Sequence, residues 1–98
     1  MDNFQSLSAN RLLFDLAARL GSLEGYLYAE AKVEKSYLPN WLQNVEREFD
    51  CLPEQLQNEI RPDYLEVLKK VQALLRKLYG DSDANTQKIT AIISSATK

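Results

Sequence analysis

Large apolar residues recur along the first third of the chain in helical register. Leu13, Leu16, Leu20, Leu23 and Leu27 alternate three- and four-residue spacings, with Leu12 beside them. That is one stripe on one helix, predicted from Ser8 to about Ser36. The stripe keeps its register through Gly21, which favours one continuous helix over the alternative in which Gly21 closes a helix and Ser22 caps the next. Pro39 then marks a boundary, because the residue before a proline avoids the helical basin and proline suits a first helical turn. Leu38, Trp41, Leu42, Val45, Phe49 and Leu52 form the apolar side of a second helix, with Asn44, Arg47 and Glu48 toward the other side.

Pro53 interrupts the second helix by the same logic. The segment from Pro53 to Ile60 reads as a short helical connector, with Leu56 and Ile60 as its apolar edge. Pro62 and Asp63 open a third helix carrying Tyr64, Leu65, Val67, Leu68, Val71, Leu74, Leu75, Leu78 and Tyr79, and Gly80 caps it. Ser82 or Asp83 can cap a last helix through Ile89, Ile92, Ile93 and Ala96. Its Thr and Ile content lowers helix propensity, so this tail is expected to fray or to order against a partner. There is no strand signal, solenoid-period repeat or low-complexity tract. The prediction is an all-α protein, a small antiparallel bundle of about four helices with a short helical connector. It forms a single domain over residues 1–98, with 1–7 and 97–98 as frayed ends.

One stripe within the first helix departs from the ordinary. Ala17, Gly21, Gly25 and Ala29 stand four residues apart, and a glycine inside a helix costs roughly 1 kcal/mol relative to alanine. Two glycines one turn apart call for a kink, a close crossing by another helix of the fold, or a seam against another chain. Tyr28 lies off the leucine stripe and beside the two glycines. Helix length points the same way. At 1.5 Å per residue the first helix would run roughly 40 Å and the third roughly 25 Å, an overhang to be covered by a kinked return of the chain, by the connector or by a second subunit. A homodimer is expected.

Composition narrows the function classes. A chain of 98 residues with 45% apolar and 27% charged residues fits one globular core. A net charge of -2 provides no global field for nucleic acid or an anionic membrane. Cys51 is the only cysteine, the opening Met-Asp-Asn-Phe lacks the features of a signal peptide, and no apolar run reaches the roughly 20 residues of a membrane span. The expected setting is cytoplasmic, with no membrane contact.

Catalytic and metal chemistry find little purchase. Histidine is absent, which removes the commonest general base and transition-metal ligand, and Cys51 has no imidazole to activate it. Asp81, Asp83 and Asn85 resemble the start of a calcium loop, but the sixth position is Thr86 and the twelfth is Ile92, so a turn and helix cap explains them better. Glu30 with Glu34, and Glu46 with Asp50, each share a helix face as solvated charge, the first pair near Lys32 and Lys35. No catalytic residue, metal or cofactor is expected.

Two surfaces remain. Lys69, Lys70, Arg76 and Lys77 line the third helix opposite its leucines and could meet phosphates, although the acidic remainder opposes nucleic-acid binding. Tyr26, Tyr28, Tyr37 and Trp41 gather near the first helix's end and the following turn, either as core filling or as interface anchors. The pattern as a whole points to a non-catalytic protein-interaction module, an accessory, adaptor or regulatory protein. It would bind a protein partner or itself through Ala17, Gly21, Gly25, Tyr28 and Ala29. The alternative is a nucleic-acid-associated regulator using the basic face, and a bundle enclosing a small apolar ligand is a third class.

Overall fold

The computed structural model describes residues 3–29 and 37–97, with side chains from Leu7 onward. Four helices follow one another: α1 (Asn3–Tyr28), α2 (Leu38–Cys51), α3 (Glu54–Tyr79) and α4 (Ala84–Thr97). They form an all-α bundle, with α1 packed on α3, α3 on α4, α4 on α2 and α2 back on α1. The two 26-residue helices, α1 and α3, lie side by side, and the two 14-residue helices complete the ring.

The core is built from the stripes that the sequence displays. Leu12, Leu16 and Leu23 of α1 meet Leu38, Leu42, Val45 and Phe49 of α2, Tyr64, Leu68, Val71 and Leu75 of α3, and Ile89 and Ile92 of α4, all essentially removed from solvent. Burial of such side chains contributes roughly 1.5–3 kcal/mol each, which is why the period of the apolar positions dictates which face turns inward. Phe49 and Tyr64 stack face to face, ring centroids 4.1 Å apart and planes within 1° of parallel. Burial, followed by the negative charges of Asp50 and Glu46, holds the Tyr64 hydroxyl well above its ordinary pKa of 10.0.

Helix α1 is unbroken through Gly21 and Gly25 and reaches back to Asn3, five residues before the predicted start. Its predicted extension toward Ser36 falls on residues 30–36, outside the described residues, as do Glu30, Lys32, Glu34 and Lys35.

The predicted connector is corrected. Residues after Pro53 do not form a separate short helix ended by Pro62, because α3 runs without interruption from Glu54 to Tyr79 with Pro62 inside it. A proline within a helix removes one backbone hydrogen bond and costs roughly 3 kcal/mol. Here Ile60 and Tyr64 are buried on either side of an exposed Pro62, so core packing on both flanks holds the helical path through it. The length argument falls with this correction. With α1 and α3 equally long, a difference in helix length no longer argues for a second subunit.

The other joints match the expected punctuation. Gly80 adopts φ 93°, a region that residues with a side chain rarely enter, and its N–H donates to the Arg76 carbonyl at 2.8 Å to close α3. Asp83 caps α4 by accepting the Asn85 N–H at 2.9 Å. The last helix is formed through Thr97, with Thr86, Ile89 and Ile92 buried and the helix packed on α3 and α2 of the same chain. Between α2 and α3 the Gln57 side-chain amide donates to the carbonyls of Phe49 at 3.0 Å, Leu52 at 3.0 Å and Asp50 at 3.3 Å. The Phe49 carbonyl also accepts the Leu52 N–H at 3.1 Å, so the Gln57 amide adds to that bond and supplies a donor to the Asp50 and Leu52 carbonyls at the end of α2.

Candidate functional site

The small residues singled out on the first helix all face solvent. Ala17, Gly21, Gly25, Tyr28 and Ala29 are exposed. Had either glycine been placed to admit a neighbouring helix of the same fold, a Cβ built there would meet that neighbour. At Gly21 and at Gly25 it meets no described atom within 4 Å. Of the three explanations for the glycines, internal crossing is removed for the described residues, and α1 continues as one helix through both of them.

The same face carries large apolar side chains that the stripe of small residues does not announce. Leu7 is 63% exposed, Phe14 72% and Tyr28 93%. With Gly21 these residues stand seven apart, and seven residues bring a helix back to nearly the same direction, about 20° short of two full turns. Leu7, Phe14, Gly21 and Tyr28 therefore form a second stripe, with Ala17, Ala18 and Gly25 beside it. It runs along the side of α1 away from buried Leu12, Leu16 and Leu23. Sequence reading traced the leucine stripe and missed Leu7 and Phe14. The signal that could have found them is this second seven-residue period on the same helix.

The predicted aromatic cluster divides. Tyr37 and Trp41 are partly buried and pack on the core, and the Arg19 guanidinium lies over both rings, 4.5 Å and 5.7 Å from their centroids. They tie α2 to α1 in a cation–π contact. Tyr28 stands clear of them, and Tyr26, 40% exposed, lies on a different side of α1 from Phe14 and Tyr28.

On α3 the basic residues Lys69, Lys70, Arg76 and Lys77 are all exposed, as the sequence predicts. Lys70 pairs with Glu66 at 3.3 Å and Arg76 with Asp81 at 2.9 Å, so half of the cations already face a carboxylate. That weakens the local field that phosphate recognition needs.

Elsewhere, Glu46 pairs with Lys88 of α4 at 3.3 Å, and Cys51 is exposed. Among the described residues, no group of three or more acidic or cysteine side chains converges as a metal site would require, and no helix is long and apolar enough to cross a membrane. An open cleft of about 410 Å³ between α1 and α2 is lined by Ser8, Arg11, Arg47, Glu48, Cys51, Leu52 and Pro53. Its lining mixes charges of both signs from Arg11, Arg47 and Glu48 with the apolar Leu52 and Pro53.

Fold and site together define a small four-helix bundle with one helix that is apolar on two sides. Comparison with protein-family models, curated proteins and solved structures yields no match to this chain.

Proposed function

We propose that this protein is a non-catalytic interaction module whose binding surface is the outward face of α1. The observation that carries the proposal is the exposure of Leu7, Phe14 and Tyr28 on one line of a helix whose opposite side already fills the core. Single exposed apolar residues are commonplace on protein surfaces, but an aligned set marks an interaction site. Two of the three are aromatic, the class that anchors interfaces by burying a large area with few rotatable bonds. Gly21 and Gly25 leave the helix backbone open between them, so an incoming element can approach closely. In this role the bundle is a scaffold, anchoring α1 through its buried leucines so that the outer side chains keep their helical spacing.

The test is affinity capture of the intact chain from its native cells, followed by mass spectrometry, with Phe14→Glu alongside. Phe14 is exposed, so that substitution leaves the helical circular dichroism spectrum unchanged. Stoichiometric capture of a protein, or of the untagged chain itself, that disappears with Phe14→Glu supports the proposal. Equal capture by both forms overturns it.

A further inference from the structure

The outward face of α1 has a property that selects its occupant. Its positions are symmetric about the point midway between Ala17 and Ala18, with Leu7 and Tyr28 equidistant on either side and Phe14 and Gly21 likewise. If two copies of α1 lie antiparallel about a two-fold axis through that point, Leu7 of each copy comes level with Tyr28 of the other, and Phe14 comes level with Gly21. Bulk then meets gap at the inner pair, where Phe14 faces Gly21, and two large apolar side chains cover each other at the outer pair, where Leu7 faces Tyr28. Side chains on a helix lean toward its N-terminus, which carries each Phe14 ring into the space between Gly21 and Gly25 of the facing copy. That space is open, because a Cβ at either glycine meets no described atom within 4 Å. Parallel pairing would instead set Phe14 against Phe14 and leave glycine facing glycine, a collision followed by a void.

The area is sufficient for such a pairing. An aromatic side chain covers about 200 Å², so Phe14 and Tyr28, 72% and 93% exposed, leave roughly 330 Å² open on each copy. Leu7 at 63% exposure adds roughly 70 Å² at the area a leucine contributes on burial. Two copies therefore cover about 800 Å² from these side chains alone. Ala17, Ala18, Ala29 and the polar rim bring the total past the roughly 1,000 Å² that a specific interface requires. An isologous two-fold contact also closes on itself, so the assembly ends at two chains.

We propose that the occupant of this face is a second copy of the chain, joined as an antiparallel α1–α1 dimer with each Phe14 seated over Gly21 and Gly25 of its mate. This rests on the reading of α1 as the binding surface and names its partner.

Sedimentation velocity of the full chain from 1 to 500 µM tests it, together with Phe14→Glu and with disulfide mapping in a Cys51→Ser background. The expected result is a concentration-dependent dimer whose dissociation constant rises at least 100-fold in Phe14→Glu, at unchanged helical content. Mixed Leu7→Cys and Tyr28→Cys chains should cross-link to each other under mild oxidation in preference to their own kind. A wild-type chain that stays monomeric at 500 µM overturns the second-copy proposal, as does cross-linking of Leu7→Cys only to itself. If the monomeric chain nevertheless captures a different protein in a Phe14-dependent way, the binding surface stands and only its partner is wrong. If Phe14→Glu changes neither self-association nor capture, both fall.

Discussion

Replacing Gly21 and Gly25 together by alanine should stabilise the isolated protomer, a direction opposite to that of most substitutions inside a helix. Each glycine lies within the continuous α1, exposed, with no described atom within 4 Å of the added methyl, and neither has a positive φ. Alanine therefore fits without strain. The gain comes from the unfolded chain, which has fewer conformations to lose, at about 0.4–1 kcal/mol per site. Both sites together give roughly 1–2 kcal/mol, since each gain arises in the unfolded chain and neither methyl meets another described element of the fold. For a domain of this size each kcal/mol moves Tm by roughly 4–8 °C, so the double variant should melt about 9 °C higher. Thermal unfolding followed by circular dichroism should be measured in the Phe14→Glu background, where self-association no longer contributes to the melting point. In the wild-type background the same methyls occupy the space proposed for Phe14 of the second copy and should weaken the dimer. Unchanged or lowered melting of the double variant in the Phe14→Glu background would refute the reasoning, since it would mean that the glycines serve the fold of the single chain.

Four further changes follow from particular contacts. Thr86 is 2% exposed and its hydroxyl has no partner among the described residues, so the isosteric Thr86→Val should stabilise by about 1 kcal/mol in urea unfolding. Gly80→Ala forces a side chain into φ 93° and should cost about 1–2 kcal/mol in the same assay, without altering the dimer. Gln57→Ala removes the donor to three carbonyls at the α2–α3 joint and should cost about 1–2 kcal/mol, visible as a lower urea midpoint at unchanged slope. Tyr64 should make the fold sensitive to alkali. Its pKa is raised in the folded state, so its contribution is complete below the ordinary value of 10.0 and is lost as pH climbs from there toward the folded value. Over that span wild type should lose about 1.4 kcal/mol per pH unit relative to Tyr64→Phe, and parallel pH profiles for the two proteins would rule this out.

The parts of the fold that were legible in the sequence are those governed by local periodicity and local punctuation. The inward stripe of α1 and the caps at Gly80 and Asp83 depend on residues within a turn or two of one another. Pro62 was misread because proline is a boundary signal only where packing does not override it. The burial of Ile60 and Tyr64 that carries α3 past it is a property of the assembled core. Gln57 was invisible as a cap for a similar reason, since its carbonyl partners lie five to eight residues back and come within reach through the extended backbone at Leu52 and Pro53. At the candidate site the glycine stripe could be seen, but its meaning could not. Whether a small-residue face turns inward or outward is decided by which other stripe on the helix takes the core, and only the structure shows Leu7, Phe14 and Tyr28 left outside.

The two long helices supply an internal comparison that bears on why α1 should have a partner at all. In a ring of four helices each helix turns one side to the centre, so a chain selected only to fold needs one apolar stripe per helix and a polar remainder. Helix α3 meets that description. Beyond its buried Tyr64, Leu68, Val71 and Leu75 it presents Lys69, Lys70, Arg76 and Lys77, partly balanced by Glu66 and by Asp81 just past its end. Helix α1 has the same length and the same kind of core stripe, yet its outer side offers Leu7, Phe14 and Tyr28 on one seven-residue period, with Gly21 at the step between Phe14 and Tyr28 and Gly25 beside it. Exposed aromatics lower solubility, and each glycine lowers helix stability, so neither feature helps a solitary bundle. Both become favourable when another helix lies against α1, because the aromatics then lose contact with water and the glycines let the backbones approach. The single contact proposed along the outer side of α1 would account for both departures from the pattern obeyed by α3.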